Sequence, residues 1–292
     1  MTDGLTAAEL QSGKGHRNEN FPVASILIRK PYRAPIMAFY RFARAADDIA
    51  DHATAPAAEK HRLLDEFRSG LSGQGAEEAM ALREVLAARN LSSQHAADLL
   101  EAFRRDCTIL RYRDWDALMD YCRYSAMPVG RFVLDVHGEA RSTWPANDTL
   151  CAALQIVNHL QDCRKDFLAL NRIYMPLDSL TEASVRVEAL AADKASPALL
   201  RVISDLARRT MGLLEISRPF AGLVADARLA LEVSMIQKLA EDLCGKLMRH
   251  DPLSERVHHT KLELIPLLLR ATARFMGRGR QKRALGLAGP AQ

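Results

Sequence analysis

The chain has 292 residues, 48% hydrophobic and 26% charged, with 15 Gly, 12 Pro and a net charge of +4. That composition excludes disordered and collagen-like classes and is too weakly basic to call for a nucleic-acid partner. Five cysteines, scattered and never in a C-x-x-C pair, argue against a disulfide framework or a zinc site and favour a reducing compartment.

The N-terminal MTDGLTAAEL has no apolar core behind a basic start, and no run of about 18 apolar residues follows anywhere. The expected location is the cytoplasm, at most peripheral to the inner membrane face. Ala, Leu, Arg and Glu dominate while β-branched and aromatic residues are sparse, which favours helix over long windows. From Pro31 onward, Ile36, Phe39, Tyr40, Ala43, Ala46 and Ala50 recur at three- and four-residue spacing and predict one amphipathic helix. Turn signals at Thr54 to Ala58, from Ser69, at Asn90 to Ser93, Pro145 to Asp148, Leu177 to Ser184 and Ala195 to Pro197 separate the Ala/Leu-rich stretches that follow. In YCRYSAMPVGRF, Tyr121, Tyr124 and Ser125 precede Pro128 and Gly130, which would bend or break a helix. That segment fits either two buried tyrosines beside a packing defect or hydroxyls lining a cavity. Alternating strand patterns are weak throughout. The expectation is an all-α, single-domain helical bundle over residues 1–292, with a core from about 15 to 270 and a basic tail from about 271 to 292.

Two acidic segments interrupt apolar helical runs. In RAADDIAD, Asp47 and Asp51 stand four apart on one face, with Asp48 beside them. In LQIVNHLQDCRKDF, Gln155, Asn158, Asp162 and Asp166 form a polar stripe among Leu154, Ile156, Val157, Leu160 and Phe167. Either pair alone reads as a solvated helix face. Two such pairs near a core require cations or hydrogen bonds. Carboxylates converging across a bundle favour Mg²⁺ or Mn²⁺, which complete their shells with substrate phosphates, whereas a di-iron site would need Glu-x-x-His pairs. Arg44, Tyr40, Arg172 and Tyr174 accompany the clusters, and arginine can clamp phosphate through its planar fork. Each taken singly is more simply an ion pair or a core ring. At the C-terminal end, Arg270, Arg274, Arg278, Arg280, Lys282 and Arg283 stand beside Leu267, Leu268, Leu269, Phe275 and Met276. This pattern fits a solvated basic tail or a peripheral contact with an anionic membrane surface.

Taken together, FYRFARAADDIAD, YCRYSAMPVGR and NHLQDCRKDFLALNRIYMP resemble the squalene and phytoene synthase family, over roughly residues 15 to 270. The resemblance implies the isoprenoid-synthase type of helical bundle with a central active-site cavity. It implies Mg²⁺ held by Asp47, Asp51, Asp162 and Asp166, with the adjacent Asp48 as a further, weaker candidate ligand. Tyr121, Asn158 and Tyr40 are then expected at the reacting centre, and Arg44, Arg172 and Gln155 toward the diphosphate. ENFPVAS (Glu19 to Ser25) replaces the family's more usual Ser-rich S-x-S-F, and SAMPVGR replaces V-A-G-x-V-G. These departures point to a bacterial subgroup of the hopanoid pathway that takes presqualene diphosphate and water to hydroxysqualene and diphosphate. Capture of the cation by water requires no nicotinamide, and Tyr121, Tyr124, Ser125 and Asn20 are the candidates for positioning that water. Presqualene diphosphate or phytoene synthase activity, and a non-catalytic assembly factor of the same fold, are the alternative expectations. Expected partners are a prenyl diphosphate substrate and other enzymes of the squalene pathway.

Overall fold

The computed structural model of the protein describes residues 28–284. The first helix, α1 (Lys30–Asp51), opens on a proline whose missing N–H falls among the donors that a helix start leaves unpaired anyway. Pro35, one turn further in, cannot donate to the Pro31 carbonyl, and the Arg89 guanidinium donates to that oxygen instead. The stripe Ile36, Phe39, Phe42, Ala46 and Ile49 is buried against α2 (Ala57–Gly70), α3 (Glu77–Ala87) and α4 (Gln94–Asp106).

The next helix, α5 (Trp115–Ser125), starts where the Asp114 carboxylate accepts the Ala117 N–H at 2.8 Å. It stops at Ala126, whose φ of −124° and ψ of −47° interrupt the ladder, and α6 (Met127–His137) begins at once with Pro128 in its first turn. The bend expected from Pro128 and Gly130 is thus a junction between two helices. A Cβ on Gly130 would fall 2.1 Å from Asn147 Oδ1 and 2.5 Å from Cys151 Sγ, so glycine is what lets α6 approach α7 (Trp144–Gln161).

Two segments expected as turns are helical. Pro145 to Asp148 forms the first turn of α7, a position proline tolerates, and Leu177 to Ser184 contains α9 (Leu177–Glu182). The second acidic stripe departs the other way. It breaks at Asp162 (φ −97°, ψ 9°), the residue between α7 and α8 (Cys163–Leu170), because a sharp turn is inserted where the 3.6-residue pattern continues unbroken. The later described residues include α10 (Pro197–Ser217), capped by Ser196, α11 (Phe220–Leu223), α12 (Ala227–Leu247), capped by Asp226, and α13 (Lys261–Ala284).

Among the described residues the only strand-like pairing is an isolated bridge between Arg111 and Ile173, so the architecture is all-α. Two apolar clusters build it. The first joins α1 to α4 with Phe132 and Val136 of α6; the second joins α5, α7, α10 and α12. Phe42, Phe67 and Phe132 are almost completely enclosed, and each such side chain stabilises the fold by roughly 1.5–3 kcal/mol. The C-terminal turns of α1 belong to the first cluster and those of α7 to the second, which places the acidic residues along the seam.

Candidate active site

One cavity of about 410 Å³ lies along this seam. Asp47 and Asp51 of α1 and Asp162 and Asp166 at the α7–α8 junction all line it. Tyr40, Arg44, Tyr121, Gln155, Asn158 and Arg172 line the same space. Asp48 does not: it is buried beside the cavity, where Arg44 Nη2 donates to its Oδ1 at 2.5 Å. The 100° step between neighbouring helical positions turns Asp48 away from the wall that Asp47 and Asp51 share.

Arg44 also donates to Asp47 Oδ2 at 3.1 Å. That pairing offsets only part of the local negative charge. Burial, together with the nearby Asp51 carboxylate, pushes the Asp47 carboxyl well above the ordinary aspartate range. Across the cavity Lys165 Nζ lies 3.0 Å from Asp162 Oδ2, and His159 Nδ1 lies 3.7 Å from Asp166 Oδ2. The Gln155 amide nitrogen is 3.0 Å from the other ring nitrogen of His159, and the imidazole stacks on Tyr174 with ring centres 3.5 Å apart. Gln155 is therefore engaged by a neighbour on its own helix.

Arg172 ties the two halves together. Its guanidinium donates to the Asp51 carboxylate, to the Ala50 carbonyl at 2.8 Å and to the Asp106 carbonyl at 3.1 Å. The Asp106 side chain in turn accepts the Tyr121 hydroxyl at 2.7 Å and the Tyr174 hydroxyl at 2.9 Å. Desolvation dominates at Asp106 and holds its carboxyl at about 6, although Arg172 and both hydroxyls oppose the shift. Tyr121, Tyr174 and Tyr112 form a cluster with centroids 5.1 to 5.7 Å apart, in which Tyr112 stacks on Tyr174 and Tyr121 is tilted against both.

Sequence reasoning missed Asp106, His159 and Lys165. In RRDC, Asp106 looks like one more charge at a helix end, and its partners stand 15 and 68 residues away. His159 and Lys165 were legible in principle, since both fall inside the second acidic stripe.

A second, apolar cavity of about 270 Å³ adjoins the first and shares Tyr40, Ala43 and Val129 with it. Phe39, Phe132, Leu134, Leu154 and Ile236 contribute to its walls. Of the residues named for positioning water, Ser125 lines the acidic cavity, whereas Tyr124 lies outside that wall beneath the Arg105 guanidinium at 4.2 Å. Asn20, with the rest of ENFPVAS, lies outside the described residues.

A bundle of packed helices enclosing an acidic cavity joined to an apolar one defines an isoprenoid-synthase type of fold. The family model for squalene/phytoene synthase matches residues 15–263. A hydroxysqualene synthase of Zymomonas mobilis is 52% identical over 273 residues, 92% of this chain and 92% of that protein. A hydroxysqualene synthase of Rhodopseudomonas palustris is 54% identical over 262 residues, 89% of this chain and 90% of that one. A crystal structure of squalene synthase from Alicyclobacillus acidocaldarius aligns with a TM-score of 0.70 at 32% identity, covering 83% of this chain and 92% of the other. The chain belongs to the squalene/phytoene synthase family.

Proposed function

We propose that this enzyme converts presqualene diphosphate and water to hydroxysqualene and diphosphate. The observation that carries the reading is the joining of two unlike cavities. Five aspartates, Asp106 among them, and two arginines line a space suited to a diphosphate, and an apolar chamber opens beside it at Tyr40, Ala43 and Val129. A C–O bond broken at that junction leaves the anion among polar groups and the hydrocarbon cation among apolar walls. Identity above 50% with two hydroxysqualene synthases, over about nine-tenths of the chain, supports this substrate and product over those of other family members.

Magnesium is the cation that fits the donor set. Among the described residues no three His, Cys, Asp or Glu side chains form a ready chelate. The carboxylates come as pairs on separate elements, an arrangement suited to an ion that takes one or two carboxylates plus phosphate oxygens and water. Asp47 and Asp51 would hold it on one side, and Asp162 and Asp166 on the other. When bound, it would neutralise charge on the departing diphosphate. Arg44 supplies a guanidinium in the wall, while Arg172 is committed to Asp51 and two carbonyls and so fixes the wall's shape. Nicotinamide has no part in the proposed reaction, because water closes it.

The test is to incubate the protein with Mg²⁺ and presqualene diphosphate, without nicotinamide, beside a parallel reaction with farnesyl diphosphate, and to identify products by mass spectrometry. Hydroxysqualene from presqualene diphosphate alone is the expected outcome. Presqualene diphosphate or a longer condensation product from prenyl diphosphates would move the assignment to a condensing synthase, and no product from either would reject enzymatic turnover of this kind.

A peripheral contact with an anionic membrane belongs to the same proposal. Among the described residues no helix is long and apolar enough to cross a membrane. Leu267 and Ala271 pack inward, while Leu262, Ile265 and Leu269 on α13 are 82%, 59% and 66% exposed. Such a stripe suits the headgroup boundary, and the basic residues that follow in sequence suit its charge, although the side chains from Arg274 onward lie outside the described ones.

A further inference from the structure

An anionic membrane presents phosphate groups as well as acyl chains, and the face that carries α13 has a place for them. A third cavity, of about 140 Å³, lies where the end of α10, α11 and α12 meet α13. Pockets that enclose a whole small molecule run to roughly 300–1,000 Å³, so this one suits a group the size of a single phosphate. Its charged lining is Arg218, Lys238, Arg270 and Glu241, three positive groups against one negative. Arg218 Nε donates to Glu241 Oε1 at 3.0 Å, and Lys238 Nζ lies 3.5 Å from Oε2. A guanidinium and an ammonium each carry further N–H donors beyond one such pairing. Arg270 makes no ion pair with any described residue.

Arg270 also joins this pocket to the exposed stripe of α13. It stands one 100° step from Leu269, which is exposed, and one step from Ala271, which is buried and lines the pocket. It therefore occupies the flank between the face of Leu262, Ile265 and Leu269 and the face packed on α12. A helix lying in the interface sinks its apolar side to the acyl boundary and sets flanking basic residues among the headgroups. On the inner side, Val233 of α12 lines both this pocket and the apolar chamber. A bilayer docked here adjoins the chamber suited to hydrocarbon, which favours a lipid over a soluble anion as the source of the phosphate.

We infer that Arg218, Lys238 and Arg270 seat the phosphate of an anionic phospholipid, an assignment that rests on the membrane contact proposed above. The seat adds orientation to that contact: it turns α12 and α13 toward the bilayer and leaves the acidic cavity, which shares no lining residue with it, outside the docked face.

The experiment is co-sedimentation of the full chain with vesicles of phosphatidylcholine alone and of phosphatidylcholine mixed with phosphatidylglycerol. Wild type should bind the mixed vesicles more tightly. Lys238→Gln with Arg270→Gln should weaken that binding about tenfold or more, the scale of two basic groups lost from a headgroup contact. Arg270→Gln alone, which disturbs no ion pair of the fold, should show part of the loss with an unchanged unfolding midpoint. The control removes the same charge elsewhere, as Arg113→Gln with Arg123→Gln beside and on α5, which packs on α4, α6 and α7, and should bind like wild type. Wild-type affinity in both pocket variants, or an equal loss in the control, would overturn the seat, and if replacing Leu262, Ile265 and Leu269 still abolished binding the α13 contact would stand without it. Wild type that ignores phosphatidylglycerol would overturn the seat and the anionic contact together. No substrate enters these measurements, so the proposed reaction stands or falls separately on its product assay.

Discussion

Asp47 and Asp106 are the two carboxylates whose surroundings resist charge. For Asp47 the folded state holds its proton to higher pH than the unfolded chain, so its contribution to stability is largest at low pH and declines as pH rises through the raised folded value. Asp47→Asn is expected to abolish diphosphate release from presqualene diphosphate and to flatten that decline, checked by steady-state assay and by thermal melts between acid and neutral pH. An inactive variant that melts higher at neutral pH would show a functional group retained at the expense of stability. Asp106 is 5% exposed and titrates near 6, against 3.8 when unperturbed. The same sign applies: stability is lost as pH climbs from about 4 to about 6, by an amount of the order of 3 kcal/mol. Urea titrations of wild type and Asp106→Asn across that window should differ in pH slope, and parallel slopes would show that Asp106 is ionised throughout.

At the scale of helices, close approach and junctions decide where the site falls. The contact of α6 with α7 depends on Gly130, because any Cβ there meets Asn147 and Cys151. Gly130→Ala should destabilise the fold by about 1–3 kcal/mol, seen as a lower urea midpoint with little change in the denaturant slope. Since Val129 lines both cavities and Gly130 the apolar one, the same variant should also slow turnover. Arg172 links the end of α1 to the end of α4 through two carbonyls and a carboxylate. Arg172→Lys keeps the charge but cannot reproduce three divergent donors, so it should cost more in activity than a charge-conserving change at an exposed pair such as Arg208 and Asp205. Equal activities for the two changes would count against that bracing role.

For the whole molecule, two apolar clusters meet at a seam lined by the acidic cavity, and α13 presents an apolar stripe away from it. Replacing Leu262, Ile265 and Leu269 together by Ser should reduce co-sedimentation with anionic vesicles by about tenfold or more, given roughly 25 cal/mol for each Å² of apolar area withdrawn from water. Turnover of detergent-dispersed substrate should be unaffected, since none of the three lines either cavity. Vesicle binding that survives the triple change would assign the contact to the basic residues alone.

Helical class, the run of α1 and the two acidic pairs were legible in sequence because they depend on local periodicity: apolar residues repeat at helical spacing, and a carboxylate that interrupts such a stripe stands out within one turn. The break at Asp162 was not legible, since the 3.6-residue pattern carries on through it. Nor could sequence show that Asp48 faces away from its neighbours, or that Asp106 joins Tyr121 and Tyr174 beneath Arg172. Those relations join residues up to 68 positions apart, and Arg172 reaches Asp51 across 121. Only the packing of the two clusters sets such distances, because burial against a distant element decides which polar groups are desolvated and which, like Asp106, are paired.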